Sequence, residues 1–504
     1  MRKVILMAAM TMVLAAGSGL ANAETTAKNE HLSLQECLKI ARDKNHTRPA
    51  SHFAVVLAEA QHRQALAGYW PQLSAKGGVE VMEHAPAFIF PASQYQIPSM
   101  TLTTPASTAQ IVIPAGMLGN PTDMKLTVEV PSETITTPAS AFNVPAQNVK
   151  LMDQRTESIS GEAKWLLWDG GMRRGYADQA KAGVDVAKIA EKRTDLELNE
   201  SVTRIYWGAV LAHQLATLGH DTLEQMETTL KITESLYKDG SGTVTKADYL
   251  DNKVMVETIR GMVATLEQNE STAQAALAYT MGLGWQDTVT PTDEEVPFEP
   301  STVKLDELVG EAYQFNPDWK SLEAGISAIE GERKTAMSGY APKFALTGSL
   351  HRYWNGYGKG LAISPNTQGW TIGAGVEIPI FDGFLTAGKV AEAQAKLRKM
   401  QEEKILLKEG LGLQLRTLFL RLDAAEKAYA AGKEARNAAE EDDDLTTRGY
   451  ATGLLTTEKV VRAQLQKALV TASFYRAVYE HKSLEGEIDL AVGHQVSAAL
   501  TAVH

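Results

Sequence analysis

One cysteine, Cys37, in 504 residues excludes an intramolecular disulfide. Past the first two dozen residues, no apolar run approaches the roughly 18 residues a membrane-spanning helix needs. Basic charge is in deficit: 49 Lys and Arg stand against 61 Asp and Glu, a net of -12, which disfavours a nucleic-acid partner. Enzymatic constellations are missing too. There is no nucleophile elbow and no Ser-His-Asp pattern. His52, Glu59 and His62 fall near one helical side, but no cysteine or second cluster supports a metal site there. His481 and Glu485, spaced i, i+4, read as a solvated helix pair. The sequence therefore predicts no catalytic residue, no metal and no cofactor.

What is there begins at the amino terminus. Arg2 and Lys3, an apolar run from Val4 to Ala16, and Ala21-Asn22-Ala23 have the three parts of a cleavable export signal over residues 1–23. Cleavage there leaves 47 basic against 61 acidic residues, and it puts Cys37 too far from the new terminus to be a lipid anchor. An exported chain with no spanning helix is either soluble or a β-barrel.

Four stretches bear on that choice. Leu73, Ala75, Gly77, Val79 and Val81 alternate with polar or small residues, as do Ile159, Gly161, Ala163, Trp165 and Leu167. Phe344, Leu346, Gly348 and Leu350 do the same, and so do Trp370, Ile372, Ala374, Val376, Ile378 and Ile380. Each stretch is about ten residues with one apolar face, the pattern of a strand with lipid on one side and water on the other. A half-buried soluble strand gives the same pattern. The strands are expected at about 71–82, 158–168, 343–353 and 369–380. "GYGKG" at 356–360 reads as an external turn between the last two, among Tyr353, Trp354 and Trp370.

The strands sit at matching places in an internal repeat. Leu34, Glu36, Gly68-Tyr69 and Pro71 recur as Leu305, Glu307, Gly339-Tyr340 and Pro342; Asp169-Gly170 recurs as Asp382-Gly383, and Tyr237 with Gly240 as Tyr450 with Gly453. The first repeat spans 24–283 and the second 304–493, with a linker at 284–303 and a tail at 494–504. The first is longer by an insertion, 84–150, which holds nine of the eighteen prolines. Proline at that density predicts an extended, weakly ordered loop, which would be extracellular if the strands cross a membrane.

Each repeat then carries a long proline-free run, expected as helix hairpins at 172–281 and 385–490, too long for a globular domain. A trimeric coiled coil for spacing or adhesion has such helices as well. Four strands cannot close a barrel in lipid, because open edges leave backbone groups unpaired, so several chains must share one barrel.

Two repeats, four strands, paired long helices and the turns "YKDGSGTVTKADYLDNKV" and "GYATGLLTTEKVVRAQL" resemble the TolC-like outer membrane efflux proteins over essentially the whole mature chain. The resemblance implies a membrane α+β fold: a homotrimer whose twelve strands form one outer-membrane β-barrel, continued by a long α-helical barrel in the periplasm. It implies a passive exit duct for small molecules, working with a periplasmic adaptor and an inner-membrane transporter. A type I protein-secretion duct would share the fold. Asp169, Gly170, Asp382 and Gly383 become the seam between the two barrels. Gly240, Gly242, Thr243, Gly453, Leu454 and Leu455 become the adaptor-docking tip.

The second tip departs from the family pattern: Lys459, beside Glu458, stands where the first has Asp248. Aligning Gly242 with Gly453 also pairs Asp251 with Arg462, so Asp248, Asp251, Glu458, Lys459 and Arg462 form a candidate gate of opposite charges at matched depth. The acidic run Glu440, Glu441, Asp442, Asp443 and Asp444 covers every direction of a helix, which makes it a candidate acidic entrance.

Overall fold

The structure is a computed structural model that describes residues 29–496 apart from 116, 120, 151–152, 241–243 and 356–367. The export signal, the 356–360 turn, Gly242, Thr243 and most of the tail lie outside the described residues. In chain order come β1 (Asn29–Leu32), α1 (Leu34–Lys44), α2 (Thr47–Ala67) and β2 (Gln72–Val81). Eight short strands follow: β3 (Ala87–Phe90), β4 (Ser93–Ile97), β5 (Met100–Thr104), β6 (Ser107–Ile113), β7 (Met124–Val130), β8 (Glu133–Thr137), β9 (Ser140–Val144) and β10 (Gln147–Lys150). Then come β11 (Arg155–Trp168), α3 (Met172–Lys238), α4 (Lys246–Thr280) and β12 (Thr288–Pro291). The second repeat gives α5 (Leu305–Phe315), α6 (Pro317–Met337), β13 (Lys343–Asn355), β14 (Gln368–Glu377), α7 (Leu385–Ala451) and α8 (Thr457–Val492). Two units result: Tyr69–Trp168 with Pro342–Ile378 hold the strands β2 to β11, β13 and β14, and the rest holds the helices.

In the helical unit, α3 and α7 run 67 residues each, about 100 Å at 1.5 Å per residue. Helices of this length are fixed by packing rather than propensity. α3 lies against α2, α4, α6 and α8, and α7 against α6 and α8. Each repeat contributes one apolar cluster, around Cys37, Val202, Tyr206 and Leu277 in the first and around Leu308, Leu415, Leu484 and Ile488 in the second. β1 pairs in parallel with β12 and ties the start of the described chain to the linker.

The linker also overturns the solvated reading of His481. That side chain is fully buried, its ring 4.6 Å from Phe298, with Nε2 3.6 Å from Glu426 and Nδ1 4.0 Å from Glu485. The Ser301 amide donates to the same Glu426 at 2.8 Å, so the linker covers a helix face that spacing alone marks as wet. Near the end of α8, Asp489 accepts from the Val496 amide at 2.8 Å, and burial pushes its carboxyl up to about 6.

In the strand unit, β14, β13, β11 and β2 form one antiparallel sheet in that order. Its register aligns the four alternations. Leu73, Ala163, Gly348 and Ile372 stand in one row, and Ala75, Gly161, Leu350 and Trp370 in the next. Directly paired residues share a face, so the apolar sets combine into one surface on which Leu73 is 80% and Ile372 78% exposed. The opposite face carries Lys76 on Glu162 at 2.7 Å and Ser349 on Thr371 at 2.7 Å. β14 stops at Glu377, short of the expected 380. Pro379 has no amide hydrogen to pair, and Ile378 and Ile380 lie outside the ladder.

The insertion at 84–150 is not the loop its prolines predict. β3 pairs with β10, β4 with β9, β5 with β8 and β6 with β7, which makes one antiparallel ribbon that continues the β2–β11 hairpin. The frame does not slip across the breaks: Phe90 faces Gln147 and Ser93 faces Val144, then Ile97 faces Ser140 and Met100 faces Thr137. Six of the nine prolines occupy the two-residue breaks, Pro91, Pro98 and Pro105 going out and Pro131, Pro138 and Pro145 coming back, at seven-residue steps along each arm, and Pro86, Pro114 and Pro121 lie before the first strand and in the tip. A proline in a break costs the ladder nothing further, because the missing donor falls where no bond is made.

Candidate functional site

Two places recur in both repeats: the switch from strand to long helix, and the turn that reverses each helix hairpin. At the first switch Asp169 is buried, and its carboxylate accepts from the Gly171 amide at 3.1 Å, the Arg173 amide at 3.0 Å and Arg173 Nε at 2.8 Å. It therefore satisfies amides that begin α3 and neutralises a nearly buried guanidinium. Gly170 has φ +70°, and a Cβ there would lie 2.1 Å from that of Ala341. Only glycine fits. At the second switch Asp382 accepts from the Thr386 amide at 2.8 Å, and Thr386 holds its carboxyl below the usual carboxylate range. Gly383 has φ +68° with open space beyond, and Phe384 follows in a left-handed conformation at φ +66° where the first copy has Gly171.

At the hairpin turns Gly240 (φ +65°) and Gly453 (φ +71°) take the left-handed conformation that ends α3 and α7. The second turn closes with Gly453 N–H on Tyr450 O at 3.0 Å and Leu454 N–H on Gly449 O at 2.8 Å. Its two leucines diverge. Leu454 is 81% exposed, whereas Leu455 folds back over Gly449. α4 starts with a reciprocal cap, in which the Thr245 amide and hydroxyl donate to Asp248 at 2.8 and 2.7 Å and Asp248 N–H returns to Thr245 Oγ1. The Thr245 amide, then its hydroxyl, hold the Asp248 carboxyl below its ordinary range. Lys459 stands at the same place in α8, and Thr456 makes no side-chain cap there.

The structure gathers Asp248, Asp251, Asn252, Glu458 and Arg462 around one groove of about 410 Å³, but Lys459 does not line it. The expected Asp248–Lys459 pair is absent among the described residues, since Asp248 is engaged by Thr245. Arg462 pairs with Glu458 on its own helix rather than with Asp251. Of the acidic run, Glu440 pairs with Arg436 and Asp444 with Arg448 along α7. Asp443 turns inward to Lys467 of α8 at 2.8 Å. Glu441 and Asp442 are exposed and carry no ion pair among the described residues.

A buried polar network beside the turns escaped the sequence reading. Thr233 Oγ1 lies 2.7 Å from Tyr450 OH, which lies 3.1 Å from Thr457 Oγ1; Asn252 donates to Thr233 at 3.1 Å, and Gln464 donates to Thr229 at 2.9 Å. One member or more comes from each of α3, α4, α7 and α8. Asn252 Oδ1 and Gln464 Oε1 remain buried without partners among the described residues, so the network joins the two hairpins at less than full strength. Its signal in the sequence was the run of threonines Thr222, Thr229 and Thr233 along one side of α3.

Residues 308–494 match the family described as outer membrane efflux protein. Protein CyaE of Bordetella pertussis is 25% identical over 242 residues, 47% of this chain and about half (49%) of its own length. Outer membrane efflux protein BepC of Brucella suis is 21% identical over 343 residues, 68% of this chain and 73% of BepC. The fold matches that of the outer membrane protein VceC from Vibrio cholerae with a TM-score of 0.65 at 14% identity, over 92% of this chain and 96% of VceC.

Proposed function

Given that residues 308–494 belong to the outer membrane efflux protein family, we propose that this chain is the outer-membrane exit duct of an export assembly. Three copies close one twelve-stranded barrel in the outer membrane, and their helices form a water-filled tunnel in the periplasm. The observation that carries this is the sheet with an apolar face and two edges, β2 and β14, that are unpaired among the described residues. Such a sheet is stable in lipid only when other copies complete it. On α7, Leu406, Leu413 and Leu420, spaced by seven, are 70%, 67% and 57% exposed, a stripe ready for a second copy.

The duct is passive, and an inner-membrane transporter supplies the energy through a periplasmic adaptor. The hairpin turns are the docking end, with Gly240, Gly242, Thr243, Gly453, Leu454 and Leu455 at their tips; Leu454 offers the apolar contact. The groove between Asp251 and Arg462 and the incompletely satisfied Tyr450 network form the part that moves on opening, and Glu441 and Asp442 supply the acidic entrance. An adhesive coiled coil has no need of an apolar-faced sheet. Native mass measurement in detergent and single-channel recording in a planar bilayer test the reading together: a trimer with steady conductance is expected, and a monomer or a silent bilayer overturns it.

A further inference from the structure

Of everything the duct leaves unused, the proline-punctuated ribbon is the largest feature. A lone two-stranded hairpin in water is marginal at best, yet β3 to β6 span 27 residues outward and β7 to β10 span 27 back, breaks included, about 90 Å at 3.4 Å per residue. Large apolar side chains face each other across it: Tyr95 and Phe142 are 62% and 63% exposed, Leu102 and Ile135 58% and 60%. These pairs are seven residues apart in an unslipped frame. Seven is odd, so successive pairs fall on opposite faces of the ribbon. Both faces thus need cover.

Charge narrows the partner. Residues 85–122 contain no Asp, Glu, Lys or Arg, and the five charges of 84–150 (Asp123, Lys125, Glu129, Glu133 and Lys150) all lie at the tip or on the returning arm. Soluble edge strands are normally protected by charge, lysine above all. The unprotected arm continues β2, whose free edge a neighbouring copy must pair in the shared barrel. We propose, resting on that trimeric reading, that the three ribbons of one assembly pack face to face around their common axis as a homotypic stalk. Each ribbon then has a neighbour on both faces, which a single flat partner could not supply. The prolines interrupt the backbone edges every seven residues, so the ribbons meet through side chains and not by extending one another's sheets.

Thr101 and Leu102 are adjacent, at one height and on opposite faces, and the natural Cys37 is buried. In the full-length protein in membranes, oxidation of a Thr101→Cys/Leu102→Cys variant should shift the denatured species from monomer to covalent trimer, while either single variant stays monomeric. Native mass of the same samples separates the two readings. A trimer without cross-links overturns the stalk and leaves the duct standing; loss of the trimer itself removes the basis for both. As a second variant, Leu102→Asp/Ile135→Asp should open the ribbon to protease with trimer mass and conductance unchanged. A ribbon equally resistant in both forms overturns the stalk as well.

Discussion

The two repeats share a backbone plan and spend their side chains differently. Tyr237 and Tyr450 stand at equivalent places before their turn glycines, yet Tyr237 is 38% exposed and stacked on Tyr249, whereas Tyr450 is 4% exposed and bonded to Thr233 and Thr457. Asp169 is buried on Arg173; Asp382 is exposed. Asp248 closes a cap that Lys459 cannot. A duplicated chain thus keeps the φ values that turns demand and lets each copy specialise where its surroundings differ. The first copy holds the tighter strand-to-helix switch, and the second supplies the buried tyrosine that joins the hairpins.

The sharpest test of that asymmetry is at the switches. Asp169→Ala should destabilise the helical unit by about 3 to 5 kcal/mol, because Arg173 is left nearly buried without its carboxylate. Asp382→Ala removes only an exposed cap and should cost far less. Thermal unfolding followed by helical circular dichroism reads both, and equal losses would dissolve the distinction.

Next in size is a pH effect confined to the second repeat, where Asp489 occupies the place that buried Ala278 holds in the first. The folded carboxyl takes up its proton at about pH 6 and the unfolded one near 3.8. The native state therefore binds the proton more tightly, and stability should rise as pH falls from 6 towards 4. Above pH 6 the ionised group costs about 3 kcal/mol. Asp489→Asn should be the more stable protein at pH 7.5 and should lose that slope; a slope unchanged in the variant would place its origin elsewhere.

Tyr450→Phe should cost about 1 to 3 kcal/mol by leaving Thr457 and Thr233 short of a partner in a buried place, while Tyr237→Phe should stay within about 0.5 kcal/mol. Chemical denaturation of the pair measures the difference. A modest gain of about 1 kcal/mol is expected from Lys459→Asp, which would let α8 form the reciprocal cap of α4. Hydrogen exchange of the first turn of α8 should slow accordingly, and an unchanged rate would show that Thr456 cannot adopt the capping rotamer.

The strands and their common face were legible because period-two alternation survives without knowledge of partners: Leu73, Ala163, Gly348 and Ile372 could be named before their row was seen. The hairpin turns were legible because left-handed backbone demands Gly240 and Gly453. His481 was not, since what buries it is Phe298 from the linker. Lys467 and Asp443 were unreadable for the same reason, as a helix face does not announce its neighbour. The ribbon was misread through a sound rule applied at the wrong scale. Single prolines do break strands, but their seven-residue spacing, from Pro91 to Pro105 and from Pro131 to Pro145, was itself the sign of a repeating ladder.

That spacing has a consequence for how the chain can change length. The segment 91–97 faces 140–146, with Ser93 opposite Val144 and Ile97 opposite Ser140. Losing seven residues from one arm alone would shift every pair beyond the cut and turn apolar side chains against polar ones. Losing both sevens together would leave Phe90 opposite Gln147 and bring Pro98 and Ala139 directly after them, with the frame intact. Variation in this insertion should therefore come in matched steps of fourteen residues, half on each arm, so that its size is inherited as a count of modules while the surrounding sheet never registers the change.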